Sequence, residues 1–374
     1  MTSESVLYVD PDPSGPSATE LVASGCLPAA VLRPLATQLP SGSSSEDLRG
    51  RFQGCLLGSA IGDALGRAGE GFSLEAAVSY HGGPLRSYVP WPGWKSGPVG
   101  TITDDTQMTM CIAESIVANG RTDPTDIGRR FAGWLDYGRG KGRTCGSACL
   151  RLRAGMPWYE SGIDSAGNGA AMRTAPIGLL RWRSLDQLRL DAALACLITH
   201  SHPTAIASAI AMSAGVAYCL GQDSASYVPD RFIEFVVTCI QGIEETDMPE
   251  RRPGGSRTTL AKRIEELPGL LRLPDSRAVY DYLYNGAFVL ESLPTAMYAF
   301  LRNHHDFEAT LFAAVDAGYD CDTSAAMAGA LAGALLGRAQ ISQRWLDELE
   351  FRDELIRLAD GLYTLSTSSG ANAA

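Results

Sequence analysis

Basic charge and long hydrophobic runs are both scarce in this chain of 374 residues. There are 31 Lys and Arg against 42 Asp and Glu, a formal net charge of −11, whereas a nucleic-acid-binding surface usually needs a basic domain. The longest apolar stretch, 325–337, covers about 13 residues, and a membrane span needs about 20. We therefore expect neither a nucleic-acid-binding surface nor a membrane protein.

Disulfide and zinc frameworks are not indicated either. The nine cysteines are odd in number, are spread from Cys26 to Cys321 and form no C-x-x-C pair. Such a pattern is typical of free thiols in a reducing compartment. Residues 1–5 carry no positive charge and precede no apolar run of the signal-peptide type. These features predict a cytoplasmic protein.

Helical periodicity dominates the rest of the sequence. Apolar residues make up 45% of the chain, enough for a sizeable core, and between residues 47 and 365 they recur at helical spacing. The sequence predicts an all-α fold with a single domain over 47–365. Residues 1–46 contain Pro-, Gly- and Ser-rich stretches, which predicts a flexible leader with at most one short helix, or a segment that becomes ordered on a partner or in a cleft. Residues 366–374 are expected to form a disordered tail.

Twelve helices follow from the apolar spacing. They span 47–65, 106–118, 125–136, 146–153, 170–181, 185–199, 204–220, 231–243, 286–302, 306–317, 323–336 and 345–365. Several are rich in Ala and Gly, which allows close helix packing, so we expect them at the centre. Three loops, 82–100, 138–144 and 162–169, are longer than packing alone requires, and long loops inside a compact domain are either functional or disordered.

Two acidic clusters stand at predicted helix starts. They are Thr-Asp-Asp-Thr at 103–106 and Asp-Cys-Asp-Thr at 320–323. Either cluster alone fits a helix cap, because Asp and Thr oxygens accept hydrogen bonds from the free N–H groups of a first turn. Capping needs one such residue, however, and adjacent carboxylates repel each other unless a cation neutralises them. Together, six oxygen ligands suit one or two Mg²⁺ or Mn²⁺ ions.

A glycine-rich segment provides a third element. It reads Gly-Cys-Leu-Leu-Gly-Ser-Ala-Ile-Gly-Asp-Ala-Leu-Gly over 54–66, where the glycines permit close helix packing or a tight bend. Glu70 follows between two glycines. A carboxylate in such a turn is most often only solvated, but beside a divalent cation it could act as a general base.

In this order, these segments resemble the motifs of the ADP-ribosylglycohydrolase family. The matching motifs are the glycine-rich segment, T-D-D-T-Q-M at 103–108, G-N-G-A-A-M-R at 167–173, T-H-S-H-P at 199–203 and D-C-D-T at 320–323 with the small-residue helix after it. The resemblance covers about residues 50–340 and leaves out the leader. It implies an all-α orthogonal helical domain with a two-metal cleft at helix N-termini.

The resemblance also implies roles for individual residues. The implied metal ligands are Thr103, Asp104, Asp105, Asp320, Asp322 and Thr323. The implied catalytic residues are Glu70, Asp105 and Asp322. The implied substrate-binding residues are Asp63, Gly146, Ser147, Asn168, Gly169, Met172 and His200, with Gly146 and Ser147 at a helix N-terminus that contacts phosphate and Asp63 behind the metal ligands. In one departure from the family pattern, Tyr319 stands where Gly or Asn is common before the first aspartate of the second cluster.

The activity implied by the resemblance is hydrolysis of the glycosidic bond between ADP-ribose and a protein side chain, with arginine favoured. Two Mg²⁺ or Mn²⁺ ions, an oxocarbenium-like transition state and an ADP-ribosylated protein substrate are implied with it. Two alternatives stay open at this point. The leader could enter the cleft of an ADP-ribosyltransferase toxin, which would make the chain an immunity protein. The chain could also be a catalytically inactive structural relative, although all six implied ligands are present.

Overall fold

Helices account for nearly all regular structure in the chain. The computed structural model describes residues 15–39, 48–90, 98–249 and 257–368. The α-helices within them are α1 (Ala18–Ala23), α2 (Leu48–Gly66), α3 (Leu74–His81), α4 (Asp104–Asn119), α5 (Pro124–Trp134), α6 (Arg143–Arg153), α7 (Trp158–Ser161), α8 (Ala175–Leu180), α9 (Leu185–Leu197), α10 (Pro203–Leu220), α11 (Pro229–Ile240), α12 (Leu260–Glu265), α13 (Leu267–Leu271), α14 (Ser276–Leu283), α15 (Val289–Arg302), α16 (Phe307–Val315), α17 (Cys321–Leu336), α18 (Gln343–Asp347) and α19 (Arg352–Ser368). A two-residue antiparallel ladder joins β1 (Met248–Pro249) to β2 (Arg257–Thr258). The predicted all-α class is confirmed.

The centre of the fold is an antiparallel pair of helices, α2 and α17, whose backbones touch. Glycines at 54, 58, 62 and 66 form one stripe along α2. A Cβ atom at Gly54 would lie 2.5 Å from the carbonyl oxygen of Gly333, and one at Gly62 would overlap the carbonyl oxygen of Ala325. Because these positions are glycine, the two helices can approach until their backbones touch. The N-terminus of α17 then lies beside the C-terminus of α2.

Helix α10 lies beside this pair. It contains 18 residues with a mean hydropathy of 1.5, so by length and composition it resembles a membrane span, but 94% of it is buried inside the protein. It contacts α8, α9, α11 and α17. In the described part of the chain, α10 serves as a core helix of the bundle.

Most of the predicted helices are present, and two are interrupted. Ten of the twelve have ends within three residues of the expected positions. The predicted helix 170–181 is a 3-10 turn at 171–173 followed by α8. The predicted helix 345–365 is divided into α18 and α19 around Phe351, whose φ is +58°. The sequence did not predict α3, α7 or the three short helices α12 to α14.

Residues 15–39 differ from the flexible leader expected from composition. They form α1, the predicted short helix, and a 3-10 turn at 29–32, and they bury Leu21 and Val31 in the core. The buried Arg189 of α9 donates hydrogen bonds of 2.6 Å to the carbonyl oxygens of both Ala30 and Arg33. This part of the leader is therefore part of the folded body. Residues 1–14 and 40–47 lie outside the described residues, as do residues 369–374 of the expected tail.

Replacing Leu21 with Ala should lower the free energy of unfolding by about 2–5 kcal/mol, because it leaves a cavity at a side chain that is only 2% exposed. Urea denaturation followed by circular dichroism measures the change. Leu273→Ala, at a side chain that is 44% exposed, is the control and should have little effect. Equal stabilities of the two variants would show that residues 15–39 contribute nothing to the folded state.

Candidate active site

A cavity of about 280 Å³ opens where α4 and α17 begin. Its wall is formed by Glu70, Asp104, Asp105, Gly140, Gly142, Arg143, Thr144, Cys145, Ser165, Gly167, Asn168, Gly169, Met172, His200, Ala287, Asp320, Asp322 and Thr323. Five of these residues carry carboxylates. The structure therefore brings the two acidic clusters together, although more than 200 positions separate them in the sequence.

Asp63 holds the first cluster in place. Its carboxylate, on α2, accepts hydrogen bonds from the backbone N–H groups of Thr103 (2.9 Å) and Thr106 (3.1 Å) and from both hydroxyls (2.8 and 2.6 Å). Burial raises the pKa of Asp63 to about 6, although these donors favour the ionised form. Asp63 thus caps α4 from a neighbouring helix. It does not line the cavity, which differs from the substrate-binding role expected for it.

Asparagine side chains hold the second cluster. Asn168 Nδ2 donates to Asp320 Oδ2 over 2.6 Å, and the backbone N–H of Asp320 donates to the carbonyl oxygen of Asn285. Asn285 Nδ2 in turn donates to the Gly318 carbonyl oxygen and to Ser324 Oγ. The position of α17 relative to the 165–169 loop is therefore set by amide groups. Sequence analysis had not singled out Asn285.

Glu70 is attached to the second cluster through the backbone. The N–H of Gly71 donates to the carbonyl oxygen of Tyr319 (2.7 Å), and the N–H of Tyr319 donates to the carbonyl oxygen of Phe72 (2.6 Å). Carboxylate oxygens of Glu70, Asp320 and Asp322 consequently lie within 4.8 Å of one another. Tyr319 has a φ of +54°, a left-handed conformation that favours Gly or Asn and explains the usual residues of the family at this position.

The carboxylates of the cavity are in an environment that opposes their negative charge. Burial and the neighbouring carboxylates raise the pKa of Asp104 and of Asp105 well above the usual range. Burial, followed by the charge of Asp322, raises the pKa of Asp320 to about 7. Close carboxylates of this kind are costly in a protein without a bound cation.

The donor set fits a hard divalent cation. Asp105 Oδ1 is buried and has no hydrogen-bond partner among the described residues, while Oδ2 lies 3.2 Å from the hydroxyl of Thr103 and 3.4 Å from that of Thr323. Helix capping does not account for the clusters, because the N-cap residues of α4 and α17, Thr103 and Asp320, make no side-chain cap hydrogen bond. An unsatisfied carboxylate oxygen among further oxygen donors is what Mg²⁺ or Mn²⁺ would complete.

A second wall carries a positive charge. Helix α6 begins at Arg143, three residues earlier than predicted, so residues 142–145 line the cavity while Gly146 and Ser147 do not. Thr144 Oγ1 lies 3.1 Å from Ser165 Oγ. The N–H groups of a helix N-terminus together with Arg143 suit an anion. Gly146 and Ser147, which were expected to contact phosphate, therefore lie outside the cavity wall.

The loop at 165–169 forms the third wall. Sequence analysis placed Asn168, Gly169, Met172 and His200 here, and all four line the cavity. Ser165 and Gly167 also line it; neither was singled out, although the Gly- and Ser-rich loop 162–169 had been noted as long. Burial, and then the charge of Arg173, lower the pKa of His200 to about 3, so its imidazole is neutral at pH 7.

Comparisons with known proteins identify the family of the chain. The family model described as ADP-ribosylglycohydrolase matches residues 44–372. The chain belongs to the ADP-ribosylglycohydrolase family. It is 29% identical to ADP-ribosylhydrolase ARH3 of Gallus gallus, covering 84% of this chain and 93% of that protein. It is 28% identical to ADP-ribosylarginine hydrolase Tri1 of Serratia proteamaculans, covering 84% of this chain and 80% of that protein.

A solved structure from the same family shares the fold. It is described as an ADP-ribosylglycohydrolase-related protein complex and superposes with a TM-score of 0.68 at 28% identity, covering 86% of this chain and all of the other. The predicted family and all-α architecture are thus confirmed. Membership in the family supports hydrolysis of ADP-ribose linkages in ADP-ribosylated substrates, and the carboxylate cluster agrees with the metal dependence of the family.

Proposed function

We propose that this protein hydrolyses the N-glycosidic bond between ADP-ribose and the arginine side chains of a modified protein, and so reverses ADP-ribosylation. The main support is that five carboxylates and Arg143 line one cavity. The name of the Serratia proteamaculans relative, an ADP-ribosylarginine hydrolase, supports the same linkage.

We also propose that the reaction depends on Mg²⁺ or Mn²⁺, with room for two ions. The residues that would hold the ions are Asp104, Asp105, Asp320, Asp322 and Thr323, with Thr103 adjoining them. When bound there, divalent ions would orient ribose hydroxyls and lower the pKa of a coordinated water.

The side chains of the protein supply the remaining steps. Arg143 and the first turn of α6 bind the diphosphate. Glu70, on the rim beside Asp320, accepts a proton from the attacking water as the oxygen–C1″ bond forms and the C1″–nitrogen bond breaks. The departing guanidine keeps the bonding electron pair and takes up the proton that the water released, which returns Glu70 to its carboxylate form. Asn168 holds Asp320 in position throughout through its 2.6 Å hydrogen bond.

The location and partner follow as proposals from the sequence. We propose a cytoplasmic enzyme whose partner is an ADP-ribosylated protein. The described part of the leader packs on α9 and lines no part of the cavity, so the toxin-blocking hypothesis rests on the sequence argument alone. The hypothesis of an inactive relative predicts no turnover.

The linkage is tested by mass spectrometry of the products formed from Arg-, Ser- and Asp-linked ADP-ribosyl peptides. Release of ADP-ribose from the arginine adduct, lost on chelation and restored by Mg²⁺ or Mn²⁺, is the expected result. Preferential cleavage of another adduct would refute the arginine assignment, and no cleavage of any adduct would favour the inactive relative.

Glu70→Gln should lower kcat by about 10²–10⁴-fold because the variant loses the group that accepts the proton. Divalent-ion binding, measured by calorimetry, should persist. Glu75→Gln, at a side chain on α3 that does not line the cavity, is the control and should keep full activity. Unchanged turnover in Glu70→Gln would exclude this residue from the mechanism.

Arg143→Ala should raise KM by roughly 10- to 150-fold and change kcat less, because a charge-assisted hydrogen bond to a phosphate contributes about 1.5–3 kcal/mol. Steady-state kinetics on the arginine adduct measure both parameters. The control is Arg272→Ala, which removes the same positive charge from an exposed arginine at the end of α13. It should leave KM unaltered. If the two variants behave alike, Arg143 does not contact the substrate.

A further inference from the structure

A chain of polar groups runs from the core to the cavity through Arg173, Thr199 and His200. Arg173 Nη2 donates to Thr199 Oγ1 over 2.6 Å, and the same oxygen lies 2.7 Å from His200 Nδ1. All three residues are essentially fully buried, with exposures of 0%, 0% and 1%. Water therefore does not compete for these hydrogen bonds, and their direction is set by the protein.

Arg173 sets the direction of the first hydrogen bond in this series. Its guanidinium forms no ion pair among the described residues; it contacts the Ala195 carbonyl oxygen (3.2 Å), the sulfurs of Met108 and Cys145, and the ring of Phe131. A guanidinium carries only donors and keeps its charge. Thr199 Oγ1 must therefore accept the hydrogen bond from Arg173.

The O–H group of Thr199 can still donate one hydrogen bond to another acceptor. Two acceptors lie near it, His200 Nδ1 and the sulfur of Cys145, and sulfur is a weak acceptor compared with an imidazole nitrogen. The hydrogen bond to Nδ1 requires that this nitrogen be unprotonated. Because the pKa of His200 is low and the imidazole is neutral at pH 7, its one proton must then be on Nε2.

The Nε2 edge of the imidazole faces the cavity. It lies against the glycine loop, where a Cβ atom at Gly167 would be 3.4 Å from Nε2 and one at Gly169 would be 3.0 Å from Cε1. His200 itself lines the cavity. The absence of side chains at these two glycines leaves room beside this edge of the ring.

We propose that Arg173 and Thr199 are positioning residues that hold His200 as the Nε2–H tautomer, so that the cavity presents a neutral N–H donor to an acceptor oxygen of bound ADP-ribose. A neutral donor binds such an oxygen without adding a positive charge beside the cations that the carboxylates would hold. The identity of the ligand rests on the proposed function. The tautomer is a property of the protein alone and can be measured without ligand.

The first experiment is ¹⁵N NMR of the histidine-labelled wild-type protein at pH 7, with the His200 signals assigned through His200→Gln. The expected result is an unprotonated Nδ1 and a protonated Nε2. A protonated Nδ1 would overturn the proposal. No change near Thr199 is needed, so the outcome does not depend on whether a variant of that residue folds.

The second experiment compares Thr199→Val and Thr199→Ser in calorimetric titrations with ADP-ribose. Valine should weaken binding roughly 3- to 10-fold and give a mixed tautomer signal, whereas serine keeps the hydroxyl and should bind as the wild type does. Thr310→Val is the control: this buried hydroxyl donates to the carbonyl oxygens of Asn303 and Asp306, between α15 and α16, and does not line the cavity, so affinity should be unchanged.

Wild-type affinity in Thr199→Val, or a loss in Thr199→Ser as large as that in Thr199→Val, would overturn the proposal. Failure of the wild type to bind ADP-ribose would instead refute the proposed function, while the NMR measurement still decides the tautomer.

Discussion

Asp322→Asn and Asp105→Asn should each lower turnover of the ADP-ribosyl adduct by at least about 10²–10³-fold, the range seen when electrostatic stabilisation of a transition state is removed. Asn keeps the shape of each side chain and removes its negative charge. Both residues lie on one cavity wall, where Asp105 Oδ1 has no donor among the described residues to replace a cation. Steady-state kinetics with added Mg²⁺ or Mn²⁺ measure the loss.

The double variant should be scarcely worse than either single one, because groups that hold the same ions act as a unit. Without metal, each single variant should be as stable as the wild type or more so, since a repelling charge is gone. In the wild type alone, divalent ions should raise the free energy of unfolding by about 2.7 kcal/mol at a hundredfold excess over the Kd.

The control is Asp306→Asn. Asp306 is the N-cap of α16 and accepts a hydrogen bond from the Ala309 N–H over 2.9 Å. Asn caps helices as well as Asp does, so activity and stability should barely change. If Asp105→Asn and Asp322→Asn behave like this control, or if a chelator leaves wild-type turnover unchanged, the acidic clusters bind no catalytic metal.

The features that sequence analysis predicted are those whose signal is local. The four-residue spacing of glycines in 54–66 indicated close helix packing, and the structure places this stripe against α17. The two acidic clusters share one composition at two helix starts, and this similarity indicated that they serve one site. Both inferences need only a short stretch of sequence and the geometry of a helix.

The features that were missed depend on distant partners. Leu21 and Val31 follow no helical period and are separated by Pro28, so composition suggested a flexible segment; they are buried because Arg189, far along the chain, binds the carbonyl oxygens of that segment. Asp63 resembled a site residue in sequence, but its hydrogen bonds to Thr103 and its neighbours make it a cap. Neither contact could be inferred from local pattern.

Helix interruptions were missed for a related reason. The apolar spacing continues from α18 into α19, but Glu350 accepts hydrogen bonds from Arg139 and from the backbone N–H of Ile102, and Phe351 takes a positive φ next to it. These contacts with Ile102, before α4, and with Arg139, after α5, outweigh the helical preference of the turn. The predicted helix 345–365 is therefore divided at the point where it contacts other parts of the fold.

Gly62→Ala should lower the free energy of unfolding by roughly 3 kcal/mol, at the upper end of the usual cost of overpacking a core. The added Cβ atom would overlap the carbonyl oxygen of Ala325, a backbone atom near the N-terminal end of α17 that cannot move without shifting the helix. Because Asp322 lies one turn away on the same helix, the shift should also weaken divalent-ion binding. Urea denaturation and calorimetric titration measure the two effects.

Gly133→Ala separates this packing effect from helix propensity. Gly133 is also inside a helix, α5, but a Cβ atom there would meet nothing within 4 Å. Alanine is the better helix former by about 0.8–1 kcal/mol, so this variant should be more stable than the wild type and bind metal equally well. The opposite signs follow from geometry alone. If Gly62→Ala is also stabilising, the α2–α17 contact is looser than the structure shows, and the spacing of the acidic clusters is not set by the glycine stripe.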